Sequence, residues 1–147
     1  MPVMTPAMLH QFIKNEFPQV LHLGCTIEHV DDSSITVRMK ASEKHLRPGG
    51  TVSGPTMMEL ADATMYFLLL AQIGPVALAV TTSLNINFLR KPEPGDLIAR
   101  GKLLKLGKTL ATGEISIYSG GGEEPVAHVV TTYSIPPKKS MNIEPNV

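Results

Sequence analysis

The sequence predicts an α+β fold in which an antiparallel β-sheet wraps around one long central helix. Apolar and polar residues alternate over 35–40 and again after 80, and this period of two is typical of half-buried strands. Between them, the segment 55–73 is apolar on nearly every side and carries only two charges, Glu59 and Asp62, which predicts a buried helix. The strands follow one another without βαβ alternation, so the sheet has to curve to cover the helix.

The chain before the central helix predicts a short helix and a hairpin. Thr5 suits a helix cap and Pro6 the first helical position, and apolar residues recur at helical spacing until Pro18. The turn-forming residues 31–34 then separate a strand near 25–27 from the strand over 35–39.

The chain after the central helix predicts four consecutive strands. On the first of them, alternation places Leu84, Ile86 and Phe88 on one face. The opposite face then carries the polar residues Thr81, Ser83, Asn85 and Asn87. The remaining strands are expected at 97–106, 109–118 and 126–135, separated by glycine-rich turns.

Length and composition favour a single domain over 1–147, and the sequence pattern adds a short helix over 5–17 and a polar tail over 138–147. Thirteen basic residues balance thirteen acidic ones, so a dedicated nucleic-acid or membrane-surface binder is disfavoured. The uncharged stretch 63–89 is interrupted by Gly74-Pro75, which leaves it too short to span a bilayer.

The cysteine and histidine residues indicate the cellular compartment and bear on whether the protein has a metal site. The single Cys25 cannot form an internal disulfide, and without a secretory signal at the N-terminus it favours a reducing, cytoplasmic location. The histidines lack the spacing of metal ligands, so no metal site is expected.

Four short motifs follow one another along the chain: 54–62 (GPTMMELAD), 84–90 (LNINFLR), 107–111 (GKTLA) and 126–128 (VAH). In their order and spacing they resemble the PaaI-like (phenylacetate-degradation type) acyl-CoA thioesterases. The resemblance covers about residues 20–136. It implies the hotdog fold and hydrolysis of an acyl-CoA or aryl-acyl-CoA thioester without a cofactor, coenzyme A being part of the substrate.

Gly54 and Asp62 are the residues of the first motif on which thioester chemistry would depend. Pro55 suits the first helical position, which makes Gly54 the expected cap, and its N–H could stabilise an oxyanion. Asp62, two turns further on, could act as nucleophile or general base. The alternatives are a plain glycine cap and a structural carboxylate that pairs with the sheet.

The sequence departs from the resembled family near the helix start. Ser53 and Arg47 stand where the family commonly has His and Asn, whereas the loop histidine is kept as His45. Ser53 and Arg47 would then have to substitute, and Thr81 lies at about the position of a family hydroxyl. The loss of the two family residues leaves open a protein that binds acyl-CoA without turnover.

Glu59 raises a second enzymatic alternative. His45, Gly54 and Glu59 stand at spacings of nine and five, which resembles the motif of hotdog 3-hydroxyacyl dehydratases or hydratases. The flanking residues match the thioesterase pattern better. Glu59 could otherwise share a proton with Asp62, three residues away on the same helical face.

Substrate and subunit contacts complete the expectations. Arg90 and Lys91 at a strand end, and Lys108 with Lys105 around Gly107, are candidate contacts for the phosphates of coenzyme A. A small chain that wraps one apolar helix leaves sheet edges uncovered, and sites of the resembled family lie between subunits. We therefore expect a homodimer or a dimer of dimers.

Overall fold

The computed structural model describes residues 2–137, so the predicted polar tail over 138–147 lies outside the described residues. These residues form two α-helices and eight strands, with 3₁₀ helices at Pro18–Leu23 and Glu43–His45. The elements are α1 (Pro6–Glu16), β1 (Cys25–Val30), β2 (Ser34–Met39), β3 (Leu46–Arg47), β4 (Thr51–Val52), α2 (Gly54–Ile73), β5 (Val80–Phe88), β6 (Leu97–Leu106), β7 (Leu110–Ser119) and β8 (Ala127–Ser134).

Six of the strands form one antiparallel sheet in the order β1-β2-β6-β7-β8-β5. The helix α2 packs against β2, β5, β6, β7 and β8, and most of its side chains are buried. Gly113 on β7 permits this close packing, because a Cβ there would lie 2.7 Å from the Met65 sulfur. The predicted α+β hotdog architecture, a sheet around one central helix, is confirmed.

The strand β5 differs from the prediction on one point. Its pairing with β8 runs Thr81↔Tyr133 and then Ser83↔Thr132, so one extra residue, Thr82, forms a β-bulge. A bulge re-aims the side chains on one side of it. The prediction that Thr81 shares a face with Ser83 was therefore wrong: Thr81 points toward α2, whereas Ser83 and the asparagines that follow lie on the outer face.

The helix α1 covers part of one edge of the sheet, whereas the other edge carries exposed apolar residues. On β1, the main-chain N–H of Ile27 donates to the Nε2 atom of His10 on α1 at 3.1 Å, so α1 covers part of that edge. On β5, Val80 and Phe88 are each more than half exposed. Within residues 2–137, no helix is long and apolar enough to cross a membrane.

Candidate active site

The carboxylate of Asp62 is held by two hydroxyl groups. Thr81 on β5 donates to Oδ1 at 2.6 Å, and Tyr133 on β8 lies 3.0 Å from the same oxygen. The two donors are direct neighbours across the β5–β8 pair. Asp62 is half-buried, and hydrogen bonds of this kind offset the cost of burying a charge.

Asp62 lies in the wall of a cleft of about 560 Å³ that is lined by apolar side chains and by two further carboxylates, Glu16 and Glu59. Phe17 and Val20 of the N-terminal segment line the cleft together with Ala63 and Tyr66 of α2. The ring of Phe17 meets that of Tyr66 edge-on at 5.5 Å. The N-terminal segment therefore forms one side of the cleft, and an apolar group bound there would lie beside the carboxylate.

Glu59 lines the same cleft but has a partner of its own. Its carboxylate lies 2.9 Å from Nε2 of His22, whose Nδ1 contacts the Gln19 carbonyl oxygen at 2.8 Å. The Gln19 carbonyl first, and Glu59 second, raise the pKa of His22. Glu59 thus pairs with His22, and the donors to Asp62 are hydroxyl groups, so the structure does not bring the two carboxylates together as a proton-sharing pair.

His45 is buried, with 4% of its surface exposed. Its Nδ1 accepts from the Ser42 main-chain N–H at 3.1 Å, and its Nε2 lies 3.0 Å from the His22 carbonyl oxygen. Both ring nitrogens therefore have main-chain partners, and neither is left for a substrate. In this structure His22 is the residue that contacts Glu59.

The start of α2 is capped by Ser53, so the prediction of Gly54 as the cap was wrong. The Ser53 Oγ accepts from the N–H of Thr56, and its carbonyl accepts from the N–H of Met57. A serine hydroxyl accepts a hydrogen bond from an N–H of the first helical turn, and glycine has no side chain that could do so. Gly54 therefore occupies the first helical position. Pro55 has no N–H, and those of Thr56 and Met57 are bonded to Ser53. In the first turn of α2, the N–H of Gly54 therefore remains for a ligand.

Gly54 lies against the aromatic ring of Phe88 at the end of β5. A Cβ on Gly54 would lie 3.2 Å from Cζ of that ring. Both residues line a second cleft of about 640 Å³, which Arg47 and Lys91 also line. The structure thus brings two predicted cations to the helix start.

Arg90 lines the second cleft as well, although its charge is already matched. Its guanidinium pairs with Glu124 at 3.0 Å and donates to the Pro125 carbonyl oxygen. Lys108 lies elsewhere, beside Ile73 at the far end of α2. Within one chain, the predicted phosphate contacts therefore fall at opposite ends of the helix.

One chain cannot bring Gly54 and Asp62 to the same carbonyl group. They are eight residues apart on one helix, or about 12 Å along its axis. The attacking group has to lie about 3 Å from the carbonyl carbon, and the oxyanion donor has to lie about 3 Å from the oxygen bonded to that same carbon. In residues 2–137, no group of three or more His, Cys, Asp and Glu side chains could hold a metal ion.

Comparison with known proteins defines the class of this fold and site. The sequence profile of the Thioesterase superfamily matches residues 49–126, more than half of the chain. The chain therefore belongs to the Thioesterase superfamily, and the predicted enzyme class, thioester hydrolase, is confirmed.

Particular relatives agree with this membership. A candidate thioesterase of Silicibacter sp. TM1040 is 48% identical, with a TM-score of 0.86 over 93% of this chain and 95% of that one. A candidate thioesterase of Ralstonia eutropha JMP134, a phenylacetic acid degradation-related protein, is 26% identical with a TM-score of 0.75, over 86% and 98% of the two chains. A candidate esterase of Halobacterium salinarum is 33% identical over 65% of this chain and 66% of its own. The predicted resemblance to PaaI-like thioesterases is confirmed.

Sequence reasoning missed two contributors to the site. Tyr133 reads as one more inward residue of an alternating strand, and only the strand order β8-β5 brings it to Asp62. Phe17 is the last residue of the predicted helix over 5–17 and precedes Pro18, which indicates a helix end but not the wall of a cleft.

Proposed function

We propose that the protein hydrolyses an acyl-CoA or aryl-acyl-CoA thioester to the free acid and CoA, with the Asp62 carboxylate assisting attack on the carbonyl carbon. The observation that carries the proposal is the position of this carboxylate in the wall of a cleft that apolar side chains line in part, on a helix whose other charged side chain is Glu59. A half-buried carboxylate beside room for an acyl group suits acyl transfer to water.

Two routes use the carboxylate. As a general base, it takes a proton from a water molecule whose oxygen attacks the carbonyl carbon. As a nucleophile, it attacks that carbon itself and forms an anhydride that water then cleaves. In both routes the C–S bond breaks, the sulfur leaves with the electron pair and is protonated, and the products are the free acid and CoA.

A homodimer formed through β5 would supply the oxyanion donor. The edge of β5 carries exposed apolar residues, and α1 covers part of the opposite edge of the sheet. If two β5 strands pair antiparallel about a two-fold axis, the Thr81 end of one lies beside the Phe88 end of the other. Asp62 of one copy would then approach Gly54 of the second copy. Within one chain the two residues are about 12 Å apart along the helix and cannot meet at one carbonyl group.

The cleft at the helix start would take the phosphates of coenzyme A. Arg47 and Lys91 line it together with Gly54, and Glu124 already neutralises Arg90. In this role Arg47, which replaces a family asparagine, binds the nucleotide rather than orienting the carbonyl. Phosphate oxygens pair readily with arginine and lysine side chains.

A panel of acyl-CoA thioesters tests the proposal, with free CoA detected by a thiol reagent. We expect CoA release from at least one medium-chain or aryl member, and its loss in Asp62→Asn. Hydration of an enoyl-CoA or dehydration of a 3-hydroxyacyl-CoA without CoA release would instead favour the dehydratase alternative. Binding of acyl-CoA without either reaction would favour a non-catalytic binding protein.

A further inference from the structure

Both hydroxyl donors to Asp62 meet on one oxygen of its carboxylate. Thr81 Oγ1 lies 2.6 Å and Tyr133 Oη 3.0 Å from Oδ1. A carboxylate oxygen accepts about two hydrogen bonds in the plane of the group. Among the described residues, these contacts occupy Oδ1 and leave Oδ2 for water or a substrate carbonyl.

The backbone places the two donors with little freedom. Thr81 and Tyr133 are directly paired across β5 and β8, and the bulge at Thr82 turns Thr81 inward. Tyr133 is 3% exposed, and its ring lies 6.2 Å from that of Tyr66. A buried ring fixed in this way holds its hydroxyl at a defined position.

The Tyr133 hydroxyl acts as a donor in this arrangement. It lies 3.0 Å from both Oδ1 and the main-chain carbonyl oxygen of Asp62. That carbonyl also serves the hydrogen-bond ladder of α2, whereas the charged Oδ1 is the stronger acceptor. Burial first, and then the charge of Asp62, raise the pKa of the Tyr133 phenol, so it keeps its proton.

We infer that Tyr133 is a positioning residue of the thioesterase site, which together with Thr81 holds Asp62 by Oδ1 so that Oδ2 is the reacting oxygen. The inference rests on the proposed function, because it assigns Tyr133 a role in the reaction that Asp62 assists. It adds a residue of the last strand, outside the motifs from which the site was predicted.

Tyr133→Phe tests this role because it removes the hydroxyl and keeps the ring. With the best acyl-CoA of the panel, we expect kcat to fall about tenfold while KM stays within about twofold, since the carboxylate is lost from its reacting position and not from substrate binding. In an Asp62→Asn background, the same change should alter the residual kcat by less than about twofold. Tyr118→Phe is the matched control: Tyr118 lies on the outer face, where Arg100 stacks 5.1 Å above its ring, and kcat and KM should not change.

Three results would overturn the inference: an unchanged kcat in Tyr133→Phe, a raised KM at constant kcat, or an equal loss of kcat in the Asp62→Asn background. If Tyr133→Phe does not fold, the exposed Thr81 carries the test, and Thr81→Val should lower kcat only where Asp62 is present. Failure of the proposed function is distinguishable, because the wild-type protein would then release no CoA. If the wild-type protein releases CoA and Tyr133→Phe does so at the same rate, only the positioning role of Tyr133 is contradicted.

Discussion

Replacing Asp62 by asparagine removes the reacting carboxylate and keeps both hydrogen bonds to its Oδ1. The amide oxygen can accept from Thr81 and Tyr133 as the carboxylate does, whereas the amide nitrogen can neither attack a carbonyl nor take a proton from water. We therefore expect kcat to fall at least about a hundredfold, the lower range for acid–base catalysis.

The effect of Asp62→Asn on stability is expected to be small. Breaking one side of a buried ion pair costs about 3–5 kcal/mol, but the partners of Asp62 are neutral hydroxyls. Two charge-assisted hydrogen bonds become neutral ones, at about 1 kcal/mol each, and the removal of a half-buried charge offsets part of this loss. The free energy of unfolding should stay within about 2 kcal/mol of wild type.

CoA release and the thermal midpoint, measured on the same samples, separate chemistry from structure. Asp62→Ala is the matched comparison, because it should lose the same activity and more stability by leaving the buried Tyr133 hydroxyl without its charged acceptor. Normal hydrolysis with a lowered midpoint in Asp62→Asn would show that the carboxylate is structural. If Glu59→Gln then abolished activity, the dehydratase-like arrangement would become the better interpretation.

Three further predictions concern the two clefts and the N-terminal segment. Lys91→Ala should raise KM for acyl-CoA several-fold at constant kcat, whereas Lys102→Ala on the outer face should not; equal effects would contradict the placement of the nucleotide. Phe17→Ala should raise kcat/KM for bulkier acyl groups about tenfold relative to the wild-type preference, and an unchanged ranking across the panel would remove the acyl group from this cleft. Because the pKa of His22 is raised by its hydrogen-bonding partners, its contribution to stability is present below the ordinary value of 6.5 and is lost as pH rises through the raised value. Glu59→Gln should therefore lower the thermal midpoint more at about pH 5.5 than at about pH 8.5, and equal shifts would refute this linkage.

The order of helices and strands could be predicted because each element carries its own pattern. The apolar segment 55–73 has no polar face to present to water, so it had to be enclosed, and the alternating strands on either side could enclose it. Thr5-Pro6 marked the first helix, and the structure has Thr5 as its cap and Pro6 at its start.

Details that depend on contacts between distant segments could not be predicted. The bulge at Thr82 is invisible in a run of threonines and serines, yet it decides which face Thr81 occupies. From the sequence alone, His45 could bind either a substrate or main-chain groups. Only the fold shows that both of its ring nitrogens contact main-chain groups. The approach of Tyr133 to Asp62 spans 71 residues of sequence.

The cap of the long helix was predictable in principle. Ser53 is a stronger capping residue than glycine, and proline is also accommodated one position later than the first, as Pro55 is here. The prediction of Gly54 as the cap came from placing Pro55 at the first helical position. The N–H of Gly54 can serve a ligand equally well from that position.

The central claim is that each site combines Asp62 of one copy with the helix start of the other. It is tested most directly by a heterodimer of Asp62→Asn and Gly54→Pro chains, carrying two different tags and purified through both, because proline is tolerated in the first helical turn and removes the Gly54 N–H that alanine would keep. Because one of its two sites would pair an intact Asp62 with an intact Gly54, we predict about half the wild-type rate of CoA release, although each parental homodimer is nearly inactive. A heterodimer no more active than the average of its two parents would contradict the claim.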